Sequence, residues 1–407
     1  MFCGFAAGAW LGGAEAPIKL VNPEISPITV SLVMVCGVFL ARWSVPALVR
    51  GTSHIRTDVG HAPHLVVWAI LAGCMWAVAN TLTIYAIRNV GLSIAFPLWN
   101  TNSLLGIFWG FLLFKELHAA GWKRWLGVIG GALCMFAGAT LLAVASAREA
   151  APGKAAFGIA AALGAGVLWG TMYIPYRKAY LTGMNPLSFI TFFTVGELFT
   201  MLTLAVSYRG AMPLWHELSG ARAVLFWLML GGFVWVIGDL FQQYATKYVG
   251  ISRGIPLSNT NQLWGLLWGV LVFHELRGGG HTTYLQVVGG SILMALGAVA
   301  IALSSATESE HSSWKDAARR EGERYGVEDE YLTAGMEGRA YESASSGRSI
   351  LDWLLILVTT ALFAALAIVS KPPQVEVSFG WSAALTVVMF TLMAACGVAL
   401  WRTTGFR

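Results

Sequence analysis

The sequence predicts an all-α membrane fold: ten helices in two inverted five-helix repeats, followed by two additional C-terminal transmembrane helices. Three observations lead there. Apolar residues make up 57% of the 407-residue chain and charged residues 12%, against roughly 25% charged in an ordinary globular protein. Apolar runs of about 20 residues, the length that crosses a bilayer, recur along the whole chain. A 27-residue stretch also occurs twice, at a constant offset.

The runs are 2–20, 27–49, 65–87, 92–114, 125–145, 157–176, 186–206, 224–245, 251–273, 284–304, 351–370 and 381–401. The first is short. It has neither a charged n-region nor a small-residue cleavage site, so no removable signal peptide is expected. The repeat pairs GLSIAFPLWNTNSLLGIFWGFLLFKEL, from Gly91, with GISRGIPLSNTNQLWGLLWGVLVFHEL, from Gly250; 15 of the 27 positions are identical, where apolar composition alone gives roughly two or three. The same offset of 159 pairs Trp76 with Trp235, Asn80 with Asp239 and Gly131 with Gly290. At 158, Gly12 of the first run pairs with Gly170. Five spans per copy is an odd number, so the second copy enters the membrane from the opposite side, an arrangement that many secondary transporters share. Gaps after even-numbered spans, up to the ninth, carry eight Lys and Arg against six after odd-numbered ones. By the positive-inside rule the N-terminus is cytoplasmic.

The expected organisation is a first repeat over 1–148, a second over 149–305, a charged cytoplasmic linker over 306–350 and two further spans over 351–407. Ala306–Ser349 holds six basic and ten acidic residues; outside it the net charge rises from +5 to +9. WKDAARREGERY in the linker has the makings of a short surface helix, otherwise of a solvated tether. The remaining basic residues stand singly between apolar runs, which excludes a nucleic-acid stripe. Cys3, Cys36, Cys74, Cys134 and Cys396 all lie in apolar segments without a Cys-x-x-Cys pair and read as packing residues. His54, His61 and His64 read as a polar loop, lacking the partners of a transition-metal site. Neither a metal nor a cofactor is expected. Signatures of hydrolases and of ATP-driven pumps are absent.

A lipid-facing helix has no use for amides or carboxylates, so polar groups at span depth mark a working site. Gly73, Trp76 and Asn80 in the third span, and Gly232, Trp235, Asp239 and Gln242 in the eighth, each share one helix face. A ring beside an amide or carboxylate suits a sugar, whose C–H face stacks while its hydroxyls bond; interhelical packing is the alternative. Asn100, Thr101 and Asn102 follow Pro97, and Asn259, Thr260 and Asn261 follow Pro256. Both prolines are expected to break their spans. Asn100 and Asn259, the latter sharing a face with Gln262, are the members placed to meet substrate, with Thr101 beside them. Asp239 is the leading proton carrier because its repeat partner is the neutral Asn80. Glu197 is either a second coupling carboxylate or the partner of a basic residue such as Arg253. Glu15, four residues from Lys19, reads as a rim ion pair. Arg253 is taken as the only basic residue near the cavity.

Two five-span halves, each with a Gly-[Leu/Ile]-Ser-x-x-x-Pro-Leu fourth helix ending in Phe-x-Glu, resemble the drug/metabolite transporter superfamily. Within it the second copy, preceded by Trp235 and Asp239, is most similar to the bacterial glucose/ribose porter and rhamnose-proton symporter branch. The resemblance spans about residues 2–304; Asn-Thr-Asn replaces the branch's Ser/Thr-Gly run, and the last two spans have no counterpart. It implies a ten-helix carrier in the cell (inner) membrane, both ends of its ten helices cytoplasmic, moving a small neutral monosaccharide with a proton as coupling ion. The rival within the superfamily is an exporter of amino acids, cationic drugs or other small metabolites. An intramembrane enzyme or a passive channel stands further off. Uptake versus export and oligomeric state stay open.

Overall fold

A computed structural model describes the chain except residues 15, 18–19, 21–24, 91–94, 96–97, 119, 146–154, 275–279, 305, 339–347, 372–375 and 407. Among the described residues all regular structure is helical: α1 (Phe2–Gly13), α2 (Pro27–Val49), α3 (Ser53–His61), α4 (His64–Val90), α5 (Asn102–Phe114), α6 (Gly121–Ala145), α7 (Ala155–Leu181), α8 (Pro186–Arg209), α9 (Ala211–Gly220), α10 (Leu225–Val249), α11 (Ile251–Ser258), α12 (Asn261–Leu267), a π-helical turn (Trp268–Val272), α13 (His281–Leu303), α14 (Glu308–Tyr325), α15 (Asp329–Glu337), α16 (Ile350–Val369) and α17 (Phe379–Thr404). Nine of these, α2, α4, α6, α7, α8, α10, α13, α16 and α17, are long and apolar enough to cross a membrane. The chain is a multi-pass membrane protein.

Twelve spans were expected, and the difference has local causes. The first run holds a 12-residue helix, and the fourth is interrupted: Ala95, Leu98 and Trp99 are helical, Asn100–Thr101 form a turn, and a 13-residue helix follows from Asn102. The ninth is split into α11, α12 and the π turn. Its break falls at Asn259–Thr260, one turn after Pro256, where Thr260 Oγ1 bonds back to the Leu257 carbonyl at 2.9 Å. Thr101 does the same to the Leu98 carbonyl at 2.7 Å. A side chain that satisfies a nearby carbonyl competes with the helical ladder, so both Asn-Thr-Asn triplets mark an interruption. Pro97 lies outside the described residues, as do Glu15 and Lys19. By contrast α2 and α8 start sharply, each with a capping side chain, Ser26 or Asn185, before a proline at the first helical position.

Glycines set how closely the helices approach. A Cβ on Gly232 of α10 would lie 2.0 Å from the Met34 carbonyl oxygen of α2, and one on Gly73 of α4 would lie 1.9 Å from the Phe193 carbonyl of α8. Gly37 meets Met229, and Gly196 meets Ile70, in the same way, both at 2.1 Å. The 159-residue offset carries each contact onto its counterpart. In α6 and α13, Gly131 faces Gly297 and Gly138 faces Gly290, again exchanged by the offset. Contacts between the copies are therefore reciprocal: α2 packs on α10 as α8 packs on α4.

The charged segment forms two packed helices. Residues Glu310, Trp314, Ala318 and Gly322 of α14 recur every four positions, and all are buried, as one face of a helix should be when it docks. The capping box of Thr307 and Glu310 begins α14. Glu310 then reaches Arg253 of α11 at 3.0 Å, both side chains fully buried, and accepts from the Leu117 amide at 2.9 Å. Trp314 lies beneath Arg177, 4.3 Å from ring centre to guanidinium carbon, and Arg177 pairs with Glu116 at 2.9 Å. Glu116 in turn accepts from the amides of Ile251 and Ser252, at the N-terminus of α11. Tyr325 and Tyr331 stack on His64 and His61. The pair α14–α15 thus covers the end of the bundle where α5, α7, α10 and α13 finish and α4, α8 and α11 start.

The last two helices flank this body. In α17, Met389 accepts a bond from Trp10 Nε1 of α1 at 3.0 Å, and Cys396 Sγ stands 3.1 Å from Cys3 Sγ. The sequence treats those cysteines as unrelated packing residues; tertiary structure brings them together as a free thiol pair. Most of the apolar surface of α16 faces outward, which suits a helix against lipid.

Gly232→Val is expected to abolish accumulation of monodisperse protein, since a branched side chain cannot fit against the Met34 carbonyl. Gly289→Val, where nothing lies within 4 Å, should leave the detergent size-exclusion profile unchanged. Glu310→Gln should lower the free energy of unfolding by about 3–5 kcal/mol, because it leaves the buried Arg253 charge uncompensated. Denaturant melts of purified protein in detergent measure it.

Candidate functional site

The bundle's centre is built around Arg42, seven residues before the end of α2. Its side chain is fully buried and its two terminal nitrogens divide between carboxylates: Nη2 donates to Asp239 Oδ2 of α10 at 2.8 Å and Nη1 to Glu197 Oε2 of α8 at 3.1 Å. The guanidinium also lies over the rings of Phe193, 4.1 Å to the centroid, and Trp235, 5.3 Å. Trp235 meets Trp76 of α4 edge to face with centroids 5.4 Å apart. Gln243 Nε2 donates to Asp239 Oδ1 at 3.1 Å, and Tyr180 of α7 donates to the Gln243 carbonyl oxygen. Four helices thus deliver Arg42, Asp239, Glu197, Trp235 and Trp76 to one place, with α7 supplying the polar backing.

Two sequence expectations are corrected. Arg253 is not the only basic residue near the site: Arg42 is at its centre. Glu197 pairs with Arg42 and not with Arg253, which sits at the N-terminus of α11 and is engaged by Glu310. Arg42 could have been found in the sequence, since a guanidinium inside the second apolar run is as costly there as any carboxylate. What the sequence could not supply was its partners, 155 and 197 residues away.

The remaining expected residues fall in two groups. Near the ring pair, Asn80 donates to Ser31 Oγ of α2 at 3.4 Å, and Gln242 to Ser258 Oγ of α11 at 2.5 Å. Farther off, where the two interrupted helices cross, Asn259 donates to Ser103 Oγ and lies 3.5 Å from Asn102 Oδ1. Asn100, Ser103, Pro256, Asn259 and Gln262, with Met135 and Met294, line a cleft of about 300 Å³ counting its open mouth. Gln262 Oε1 and Asn261 Oδ1 are buried, and no donor among the described residues reaches them. Thr101 Oγ1 faces α7, 2.7 Å from where a Cβ on Gly166 would stand.

The three histidines lie at the covered end. Burial, then the Arg50 charge, lowers His54 to about 3, so its imidazole is neutral at any working pH. Beside them Asp58 is buried, which raises its carboxyl, and it accepts from Tyr331 Oη at 2.8 Å and the Asn185 amide at 3.1 Å. Like Glu116 and Glu310, Asp58 is a buried carboxyl that sequence reasoning passed over; it lies in a polar gap, where carboxylates are ordinary.

Comparison with known proteins gives this arrangement a family. The model of the family described as "Sugar transport protein" matches residues 24–145 and 161–323. A protein named for sugar uptake in Streptococcus pyogenes serotype M1 is 39% identical over 98 residues, 23% of this chain and 32% of that one. The chain thus matches about a third of that relative's length. The glucose uptake protein GlcU of Staphylococcus xylosus is 23% identical over 218 residues, 52% of this chain and 70% of GlcU. A Listeria innocua protein, also named for sugar uptake, is 23% identical over 252 residues, 61% and 82% of the two chains. With the family model matched over well more than half its length, including the helices that carry Arg42, Trp76, Glu197 and Asp239, the chain belongs to the sugar transport protein family.

Proposed function

We propose that the chain is a secondary transporter that moves a small neutral sugar across the cell (inner) membrane by alternating access, with a proton as the coupling ion. The observation that carries this reading is the Trp76–Trp235 ring pair set directly on the Arg42–Asp239–Glu197 cluster. Aromatic faces suit the C–H face of a sugar ring, and Asn80 and Gln242 on the same helices supply hydroxyl partners. Arg42 offers no free positive charge to an anionic substrate, because two carboxylates already hold it. Removing water from sugar hydroxyls is unfavourable unless such groups replace it.

The reciprocal glycine contacts support two inverted five-helix copies that rock against each other, with a cytoplasmic N-terminus. On this orientation the α14–α15 pair lies on the cytoplasmic face, and the Glu116–Arg177 and Glu310–Arg253 pairs must part when that face opens. Asp239 and Glu197, held together on Arg42, form the site of the coupling proton. Thr101 and Pro256 shape the interrupted helices, and Asn100, Asn259 and Gln262 form a secondary polar lining.

Purified protein in liposomes, given an inward proton gradient, should accumulate a labelled hexose or pentose with saturable kinetics. Uptake of a quaternary amine or amino acid with none of any sugar would overturn the reading and favour the cationic-substrate exporter, which the second carboxylate would suit. Asp239→Asn should abolish accumulation while sugar exchange across the membrane continues. Asn80→Ala should weaken sugar affinity by about 1–3 kcal/mol, read from the concentration dependence of exchange.

A further inference from the structure

The central cluster does not balance its charge as drawn. One guanidinium, which keeps its proton in any protein environment, faces two carboxylates, and all three side chains are at most 1% exposed. Among the described residues the phenols of Tyr173, Tyr176 and Tyr180 on α7 also face it, and the thiol of Cys74 on α4 lies 3.8 Å from the Gly196 carbonyl beside Glu197. Phenols carry no charge near pH 7 at their ordinary values, so a fully ionised cluster would hold one uncompensated negative charge in a dry interior. A single proton removes it.

The two carboxylates are not equivalent hosts for that proton. Both oxygens of Asp239 accept, Oδ2 from Arg42 and Oδ1 from Gln243, and Gln243 is itself oriented by Tyr180. Protonating Asp239 would weaken two accepted hydrogen bonds, one of them charge-assisted. Glu197 accepts on Oε2 alone; its Oε1 is buried and no donor among the described residues reaches it. A carboxyl oxygen that accepts no hydrogen bond gives none up by taking a proton.

We propose that Glu197 Oε1 is the seat of one exchangeable proton, that Asp239 stays ionised as the fixed counter-charge, and that Arg42 is the positioning residue that makes the two unequal. The step moves no other bond: hydronium on one side gives its proton to the Glu197 carboxylate, the cluster becomes neutral, and the same proton leaves to water on the other side. That the proton is transported rests on the function proposed above; its seat does not.

Infrared spectroscopy of the full-length protein in lipid reads the seat directly. Glu197→Gln should remove one protonated-carboxyl C=O absorption. In wild-type protein that band should shift to lower frequency when glutamate carries a ¹³C carboxyl label, and stay put when aspartate does. Glu197→Asp should transfer the sensitivity to the aspartate label, and it decides the matter if the glutamine variant does not fold. A wild-type band that follows the aspartate label would place the proton on Asp239, and loss of no band would mean that the cluster holds no proton. Either result overturns the proposal. Failure of sugar uptake in liposomes, with the glutamate band present, would instead sink the transport reading and leave the proton's seat standing.

Discussion

A buried arginine constrains everything around it, because its charge cannot be shed and must be compensated nearby. Arg42 is compensated by Glu197 from α8 and Asp239 from α10, which its two terminal nitrogens draw onto α2. Phe193 and Trp235 take up its two faces. Each of those residues stands at least a turn inside its helix, so the cluster sets how the helices are rotated as well as how close they lie. Trp76 and Trp235 are brought edge to face as a consequence, forming the aromatic surface proposed to meet substrate.

Close approach is the second requirement, and it is met by backbone. At the crossings of α2 with α10 and of α4 with α8, a glycine on each helix faces a carbonyl of the other. In lipid no hydrophobic drive separates helix from solvent, so contact at this range is where packing energy is gained. Each pair joins one helix from each copy of the repeat. The copies are therefore interlocked, and the central cluster spans both: Arg42 comes from the first, Glu197 and Asp239 from the second.

The charged segment after the tenth run has a different logic. Its composition is that of a solvated tether, yet every fourth residue of α14 from Glu310 to Gly322 is buried. The match to the family model runs to residue 323, inside this helix, so α14 belongs with the shared body and not with the two appended helices. Its Glu310 neutralises Arg253 and its Trp314 covers Arg177, two buried cations of the same bundle end. Without α14 both would face water at a mouth lined by helix termini.

By itself the sequence determined that the chain is helical and membrane-embedded, because apolar run length and composition are properties of the chain alone. It also determined the repeat, the Trp76/Asn80 and Trp235/Asp239 faces, and interruptions near both Asn-Thr-Asn triplets, since helix periodicity and the local bonds of threonine and proline act within a few residues. Only the tertiary structure decided which charges meet. Arg42, Glu197 and Asp239 are far apart along the chain, and Coulomb attraction depends on distance in space, so Glu197 could be given the wrong partner on sequence grounds and Arg42 passed over. The same holds for α14: four buried positions at helical spacing do not reveal themselves among sixteen charges until a surface exists for them to bury against.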